Sequence, residues 1–263
     1  MGHQLNVHRV VMMSHPFSAI PWFPIGTNEH GVAVGEPGNV ITKCLEDLSK
    51  PQFKKKHYKW YYSGPAANEE MTYPKQGLKD FLRGYFYLKS GNNTLYDDPV
   101  KLKAWDAEEL EKMPGYYIMP MHKSMSDYVA EDMMQVPLGA RAPAKQWLTD
   151  EELQVYVDEF RRNGFQGGLN YYRVGTSPQF QSDLELFRGK KIEVPSLFVS
   201  GDKDWGPYQT PGALDEMKEA CPGSKGFLNV YGVGHWVMQE EPQQVVIFIR
   251  RFLEGEDQTE SQD

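Results

Sequence analysis

Three short apolar runs stand out along the chain: VVMMS from Val10, VPSLFVS from Val194 and FLNVYG from Phe227. Each ends in a stretch rich in turn-forming or chemically reactive residues, which suits parallel strands covered by helices on both faces. Between the second and third runs, TPGALDEMKEACPG reads as a helix opened by Pro211 and closed by Pro222-Gly223. After the third, EPQQVVIFIRRFLEG places Val245, Phe248, Ile249 and Phe252 on one helical face, with Gly255 beyond its end. Strand, helix, strand, helix is the α/β pattern.

The long middle, from about Phe17 to Leu184, carries no comparable strand run. It opens on the turn-rich PFSAIPWFPIGTNEHGVAVGEPG and continues with amphipathic helical patterns. In PKQGLKDFLRGYFYL, Leu78, Phe81, Leu82 and Tyr85 share one side; NVITKCLEDLSK has the same character. WLTDEELQVYVDEFRRNGF is the clearest helix, with Thr149 as cap, Glu152 at the capping-box position and a stripe of Leu153, Val157 and Phe160. An all-helical insertion between the first and second strands is therefore predicted. Met119, Met121, Met125, Met133 and Met134 can fill a core or line an adaptable pocket. The closing EDQTESQD is acidic, polar and expected to be disordered.

Composition narrows the function classes. The 263 residues are 40% hydrophobic and 13% aromatic, enough for a substantial core. A net charge of −8 argues against a chain that grips nucleic acid or an anionic membrane along much of its surface. The lysine-aromatic stretch FKKKHYKWYY is accordingly read as a solvated helix face rather than a nucleic-acid patch. Cys44 and Cys221 alone cannot build a disulfide framework or a thiolate metal site. His3, His8, His30 and His122 show no ligand pairing at helical spacing that points to metal. No apolar run approaches the roughly 18 residues needed to cross a bilayer, and the opening residues lack a signal-peptide pattern. A cytoplasmic protein is expected.

Candidate chemistry sits just past the second and third runs, as GDKDWGP from Gly201 and GHWVMQEEP from Gly234. These segments resemble the acid turn and histidine loop of the epoxide hydrolases of the α/β-hydrolase fold. LTDEELQVYVDEFRRNGFQGGLNYYRV is similar to the end of that family's helical cap, HYKWYYSGP to a cap segment bearing one of its two acid tyrosines, and HRVVMMSHPF to its sixth strand. The likeness runs from about His8 to Phe252 and is weakest between Asn93 and Lys145. It implies an α/β fold: an incomplete α/β-hydrolase with a large all-helical cap inserted between the first and second remaining parallel strands. Residues 1–17 would be a remnant strand, 18–184 the cap, 185–254 the C-terminal strands and helices, and 255–263 a disordered tail.

By the same resemblance His235 is the water-activating base and Asp204 the acid that orients it, with Asp202 as the rival acid, read as a turn cap. Tyr172 and Tyr58 would donate protons to the epoxide oxygen, Tyr171, Tyr61 and Tyr62 being their neighbouring rivals. Trp236, Trp205 and Phe17 are the candidate substrate-binding residues. A phenol with pKa near 10 stays protonated at neutral pH, and an imidazole near 6.5 can take a proton from water. No cofactor or metal is implied. The family's nucleophilic aspartate, on a G-H-D-W-G strand-to-helix turn, has no counterpart here. Ser14, His15 and Ser200 lie near strand ends, but none has such an elbow around it.

The expected function is therefore that of an epoxide hydrolase truncated before its nucleophile and inactive as an isolated chain. Its partner would be a small apolar epoxide-like substrate once the site is completed, by a second chain or by self-association along the exposed strand Val10 to Ser14. The alternatives are a pseudoenzyme module binding an apolar ligand or partner, and one half of a split hydrolase. Haloalkane or ester chemistry stays open, since fold does not fix function.

Overall fold

The computed structural model describes residues 7–19, 37–177, 180, 183 and 185–255; residues 256–263 of the expected tail, and most of the turn-rich stretch after Phe17, lie outside them. A three-stranded parallel sheet is built from β1 (Val10–Met13), β4 (Ser196–Gly201) and β5 (Ser224–Val230), in the order β1-β4-β5. Val10 pairs with Ser196 and Met13 with Val199. On the other side Phe198 pairs with Phe227 and Gly201 with Val230, after a register shift near Ser196. β5 starts ahead of its apolar run, because Ser224, Lys225 and Gly226 extend the pairing without adding hydrophobic signal.

Alternation along the strands divides the core between two faces. Leu197, Val199, Leu228 and Val230 meet Val245 and Phe252 of α12 (Pro242–Glu254), with Phe248 and Ile249 alongside. Phe198 points the other way, onto Met217, Ala220 and Cys221 beside α10 (Ala213–Ala220). β1 follows the same rule, Val11 and Met13 packing toward α12 and Met12 toward α10. Pro211 does not open α10: Gly212, at φ 79°, turns the chain into the helix one residue later. α12 does start at Pro242 and is capped by Gly255. The Arg9 guanidinium lies 5.6 Å from the Phe252 ring centroid and bonds to the Phe252 carbonyl, tying the entry of β1 to that helix end.

Between β1 and β4 the chain forms α1 (Pro37–Ser49), α2 (Tyr58–Ser63), α3 (Ala67–Thr72), α4 (Leu78–Leu88), α5 (Ala107–Leu110), α6 (Met125–Gln135), α7 (Ala144–Trp147), α8 (Asp150–Asn163) and α9 (Gln166–Thr176). They share one apolar core that includes Leu48, Phe81, Leu110, Tyr117, Met125 and Leu153. The insertion is not all-helical: β2 (Lys55–His57) and β3 (Ile118–Pro120) make an antiparallel ribbon, with His57 opposite Ile118. Two three-residue strands far apart in sequence, one of them Lys-Lys-His, leave no periodic trace. The lysine stretch also departs from expectation, for His57 and Lys59 are 1% and 2% exposed rather than on a solvated face. The methionines divide: Met119 and Met125 are core, whereas Met121 and Met134 are exposed.

At the start of α8 the Thr149 hydroxyl accepts the Glu152 N–H and the Glu152 carboxylate accepts the Thr149 N–H, completing the capping box. Thr149→Ala is expected to cost about 1 kcal/mol and to lower Tm by about 2–4 °C with an unchanged urea m value. An unchanged midpoint would show that the box carries no stability.

Candidate active site

Because β4 and β5 are parallel neighbours, the loops at their C-terminal ends come together. Gly201 lets them close: a Cβ there would stand 2.0 Å from the Val233 carbonyl oxygen and 2.4 Å from that of Gly234. The Lys203 N–H bonds to the Val233 carbonyl at 2.9 Å, and the Asp202 carboxylate accepts the Gly232 N–H at 2.7 Å. Asp202 is thus the turn cap, and the neighbouring acid is the one turned inward.

Asp204 is 1% exposed. Its Oδ1 accepts the Gly206 N–H at 2.7 Å, and its two oxygens lie 3.0 and 3.2 Å from His235 Nδ1. A carboxylate can only accept, so Nδ1–H donates and the neutral ring keeps its lone pair on Nε2. Burial pushes the Asp204 carboxyl up, but the charge and hydrogen bond of His235, the Gly206 N–H and the Lys89 ammonium outweigh it and hold it below its ordinary value. Among the described residues no hydrogen bond reaches Nε2, the side on which a water or a reacting group would sit.

The main chain of His235 is held from both sides. Its N–H donates to the Lys89 carbonyl at 2.8 Å, and its carbonyl accepts the Ser14 hydroxyl at 3.0 Å. Sequence reasoning missed Glu240, at the end of α11 (Val237–Glu240). Its carboxylate accepts the N–H groups of Gly91, Gly234 and Trp236 at 2.7, 3.2 and 3.1 Å, clamping the histidine loop to the segment after α4. Burial raises the Glu240 carboxyl, against the pull of those three donors. An acid in QEEP looks like any polar helix start, so only the close backbone donors reveal its role.

Tyr58 opens α2 and donates its hydroxyl to Gln209 Oε1 at 2.8 Å. Gln209 Nε2 in turn donates to the carbonyl of Gly206, at 3.2 Å, in the same turn that holds Asp204. The Tyr172 ring, on α9, is 5.9 Å from that of Tyr58 and 5.0 Å from that of Tyr62. Tyr171 faces outward, 60% exposed. Tyr61 bonds to Glu70 at 2.7 Å, and the Tyr62 hydroxyl lies 3.0 Å from that of Tyr85. Burial pushes the Tyr58 and Tyr172 phenols up, so both keep their protons at neutral pH.

Trp236 adjoins the His235 ring at 4.9 Å, packs on Phe86 at 4.5 Å and donates Nε1–H to the Phe86 carbonyl at 2.8 Å. Trp205 is 4% exposed within the helical core. Phe17 is placed elsewhere, against Phe198, Met217 and Cys221 on the α10 face of the sheet; the chain leaving β1 carries it there. Ser14 and Ser200 are committed to the His235 carbonyl and to Asn229 Oδ1. Among the described residues, no three His, Cys, Asp or Glu side chains gather as a metal site, and no helix is long and apolar enough to cross a membrane.

The chain is similar to known proteins in sequence and in fold. The chain is 39% identical to epoxide hydrolase A of Mycobacterium tuberculosis over 121 residues, 46% of this chain and 36% of that protein. It is 33% identical to epoxide hydrolase B of the same organism over 203 residues, 74% of this chain and 54% of that protein. It therefore spans about a third to a half of the length of these curated relatives. An epoxide hydrolase from an endophytic Streptomyces superposes with a TM-score of 0.65 at 24% identity, over 94% of this chain and 61% of that one. No protein-family model matches. The fold is that of an α/β-hydrolase, in its C-terminal part. The chain belongs to the epoxide hydrolase family.

His15 follows β1 and gives a pH signature. Burial, then the Lys59 charge, lowers its pKa from 6.5 to about 4, while Nδ1–H donation to the Pro16 carbonyl at 3.0 Å opposes the shift. The unfolded chain takes up this proton below 6.5 and the folded chain only near 4, so stability drains as pH falls through that window. His15→Gln should lose about 1–3 kcal/mol less than the wild type between pH 7.5 and 4.5 in urea denaturation. Parallel losses in both proteins would place the acid sensitivity elsewhere.

Proposed function

We propose that this chain carries the base, the orienting acid and the proton donors of an enzyme that hydrolyses small apolar epoxides to vicinal diols. The observation that supports it most is the pairing of His235 Nδ1 with both oxygens of a buried Asp204. In this reading Asp204 fixes the tautomer that leaves Nε2 basic, Tyr58 and Tyr172 are the acids, and Trp205 and Trp236 wall the apolar side of the substrate. The helices between β1 and β4 act as a cap over the sheet-borne dyad.

The chemistry divides into two steps. A carboxylate attacks an epoxide carbon, the C–O bond breaks, and a tyrosine O–H protonates the departing oxygen, leaving an alkyl ester and a phenolate. Water then gives a proton to His235 Nε2 and attacks the ester carbonyl, the diol leaves, and the imidazolium proton returns to the phenolate. Among the described residues no second carboxylate is bonded to the His235 ring. We take the attacking carboxylate to lie outside residues 1–263, which are then inactive by themselves. The intact dyad favours this reading over a binding module, which has no use for a buried carboxylate held against an imidazole.

Incubation of residues 1–263 with a styrene-oxide-type substrate should give no diol. Joined to the nucleophile-bearing N-terminal segment of a family member, they should give turnover. In that fusion His235→Gln should stop at an alkyl ester, detected as a protein mass increase equal to the epoxide, and Tyr58→Phe with Tyr172→Phe should slow ring opening about 10²–10⁴-fold. Diol formation insensitive to His235→Gln would overturn the proposal.

A further inference from the structure

Lys89 follows the last turn of α4 and is 8% exposed. Among the described residues no carboxylate pairs with it. Its ammonium is surrounded instead by aromatic rings, at 5.0 Å from the centroid of Tyr117, 5.4 Å from Tyr85 and 5.6 Å from both Tyr116 and Trp236. Rings hold a cation without neutralising it, so its field persists into the surroundings. Those surroundings are the dyad: the Trp236 ring touches that of His235, and the Lys89 carbonyl takes the His235 N–H at 2.8 Å. A close backbone contact fixes the arrangement, because a Cβ on Gly234 would stand 2.4 Å from the Lys89 carbonyl oxygen.

We propose that Lys89 is a positioning residue for the Asp204–His235 pair: its carbonyl fixes the histidine loop, and its ring-bound charge stands beside the pair on the Trp236 side. When His235 is neutral, Asp204 has, among the described residues, two N–H donors, from His235 and Gly206, to offset its burial. A nearby permanent cation supplies the remainder, and the same cation opposes a second positive charge on the imidazole. The caged ammonium therefore acts on both members in the direction a base requires.

Among the described residues the other groups that titrate or carry charge around the pair include Glu240 on α11, His15 after β1 and Lys59 on α2, with the phenols of Tyr116, Tyr117 and Tyr208. Asp202 and the Lys203–Asp98 pair are engaged on the exposed side of the acid loop. Glu240 opposes the effect of Lys89, and Lys59 and His15 are contributed by other segments. Replacement of Lys89 alone thus isolates its own share.

This inference rests on the assignment of His235 as base, but its test reads ring protonation, not diol formation, so failure of one does not mimic failure of the other. In nitrogen-15 NMR titrations of the full chain, Lys89→Met should raise the His235 midpoint by about one pH unit, and Lys89→Arg, which keeps a ring-stacking cation, should leave it near the wild-type value. An unmoved midpoint in Lys89→Met, or the same rise in Lys89→Arg, overturns the proposal. If Lys89→Met fails to fold, the reciprocal measurement applies: Asp204→Asn should lower the Lys89 ammonium midpoint, read at Cε, by a similar amount. No change there overturns it equally.

Discussion

A carboxylate removed from water must be compensated on the spot or it takes up a proton, and the burial of Asp204 imposes that condition on everything around it. Two donors meet it directly, the Gly206 N–H in its own turn and the His235 ring from the neighbouring loop. The parallel β4–β5 pairing brings those loops together, and a glycine at 201 allows their backbones to touch. The sheet thus converts a sequence-distant acid and histidine into a fixed pair without relying on side-chain flexibility.

The same condition ties the helical region to the sheet. The segment after α4 gives a carbonyl to His235 through Lys89 and an N–H to Glu240 through Gly91. Trp205, next in sequence to the buried acid, packs in the helical core. Tyr58 reaches the acid turn through Gln209. Each link is short and buried or half-buried, so the helices and the dyad loops are mechanically coupled, and displacement of the helical region would be felt at the imidazole.

The strands, the last helix and the capping box were legible because their signals are local: apolar runs of strand length, a 3.6-residue stripe, and a Thr–Glu pair three residues apart. His235 and Asp204 stand out in the sequence through the resemblance of GHWVMQEEP and GDKDWGP to a family's histidine loop and acid turn, and the structure sets their side chains side by side. What escaped depends on non-local contact. The β2–β3 ribbon joins segments with no period of their own, and Lys59 is buried despite a run of lysines that reads as surface. Glu240 meets backbone N–H groups and Lys89 meets ring faces, contacts that no spacing rule records. Phe17, a candidate substrate-binding residue by family resemblance, packs on the α10 face of the sheet, where the exit path of β1 carries it.

Asp204 selects which imidazole nitrogen of His235 carries the proton, and in the proposed function this leaves Nε2 as the base. Long-range nitrogen-15 to carbon-bound-proton NMR of His235 above its titration midpoint reports the tautomer directly. A protonated Nδ1 and an unprotonated Nε2 are expected, with the preference weakened in Asp204→Asn. A neutral ring found mainly as the Nε2–H tautomer in the wild-type chain would contradict it.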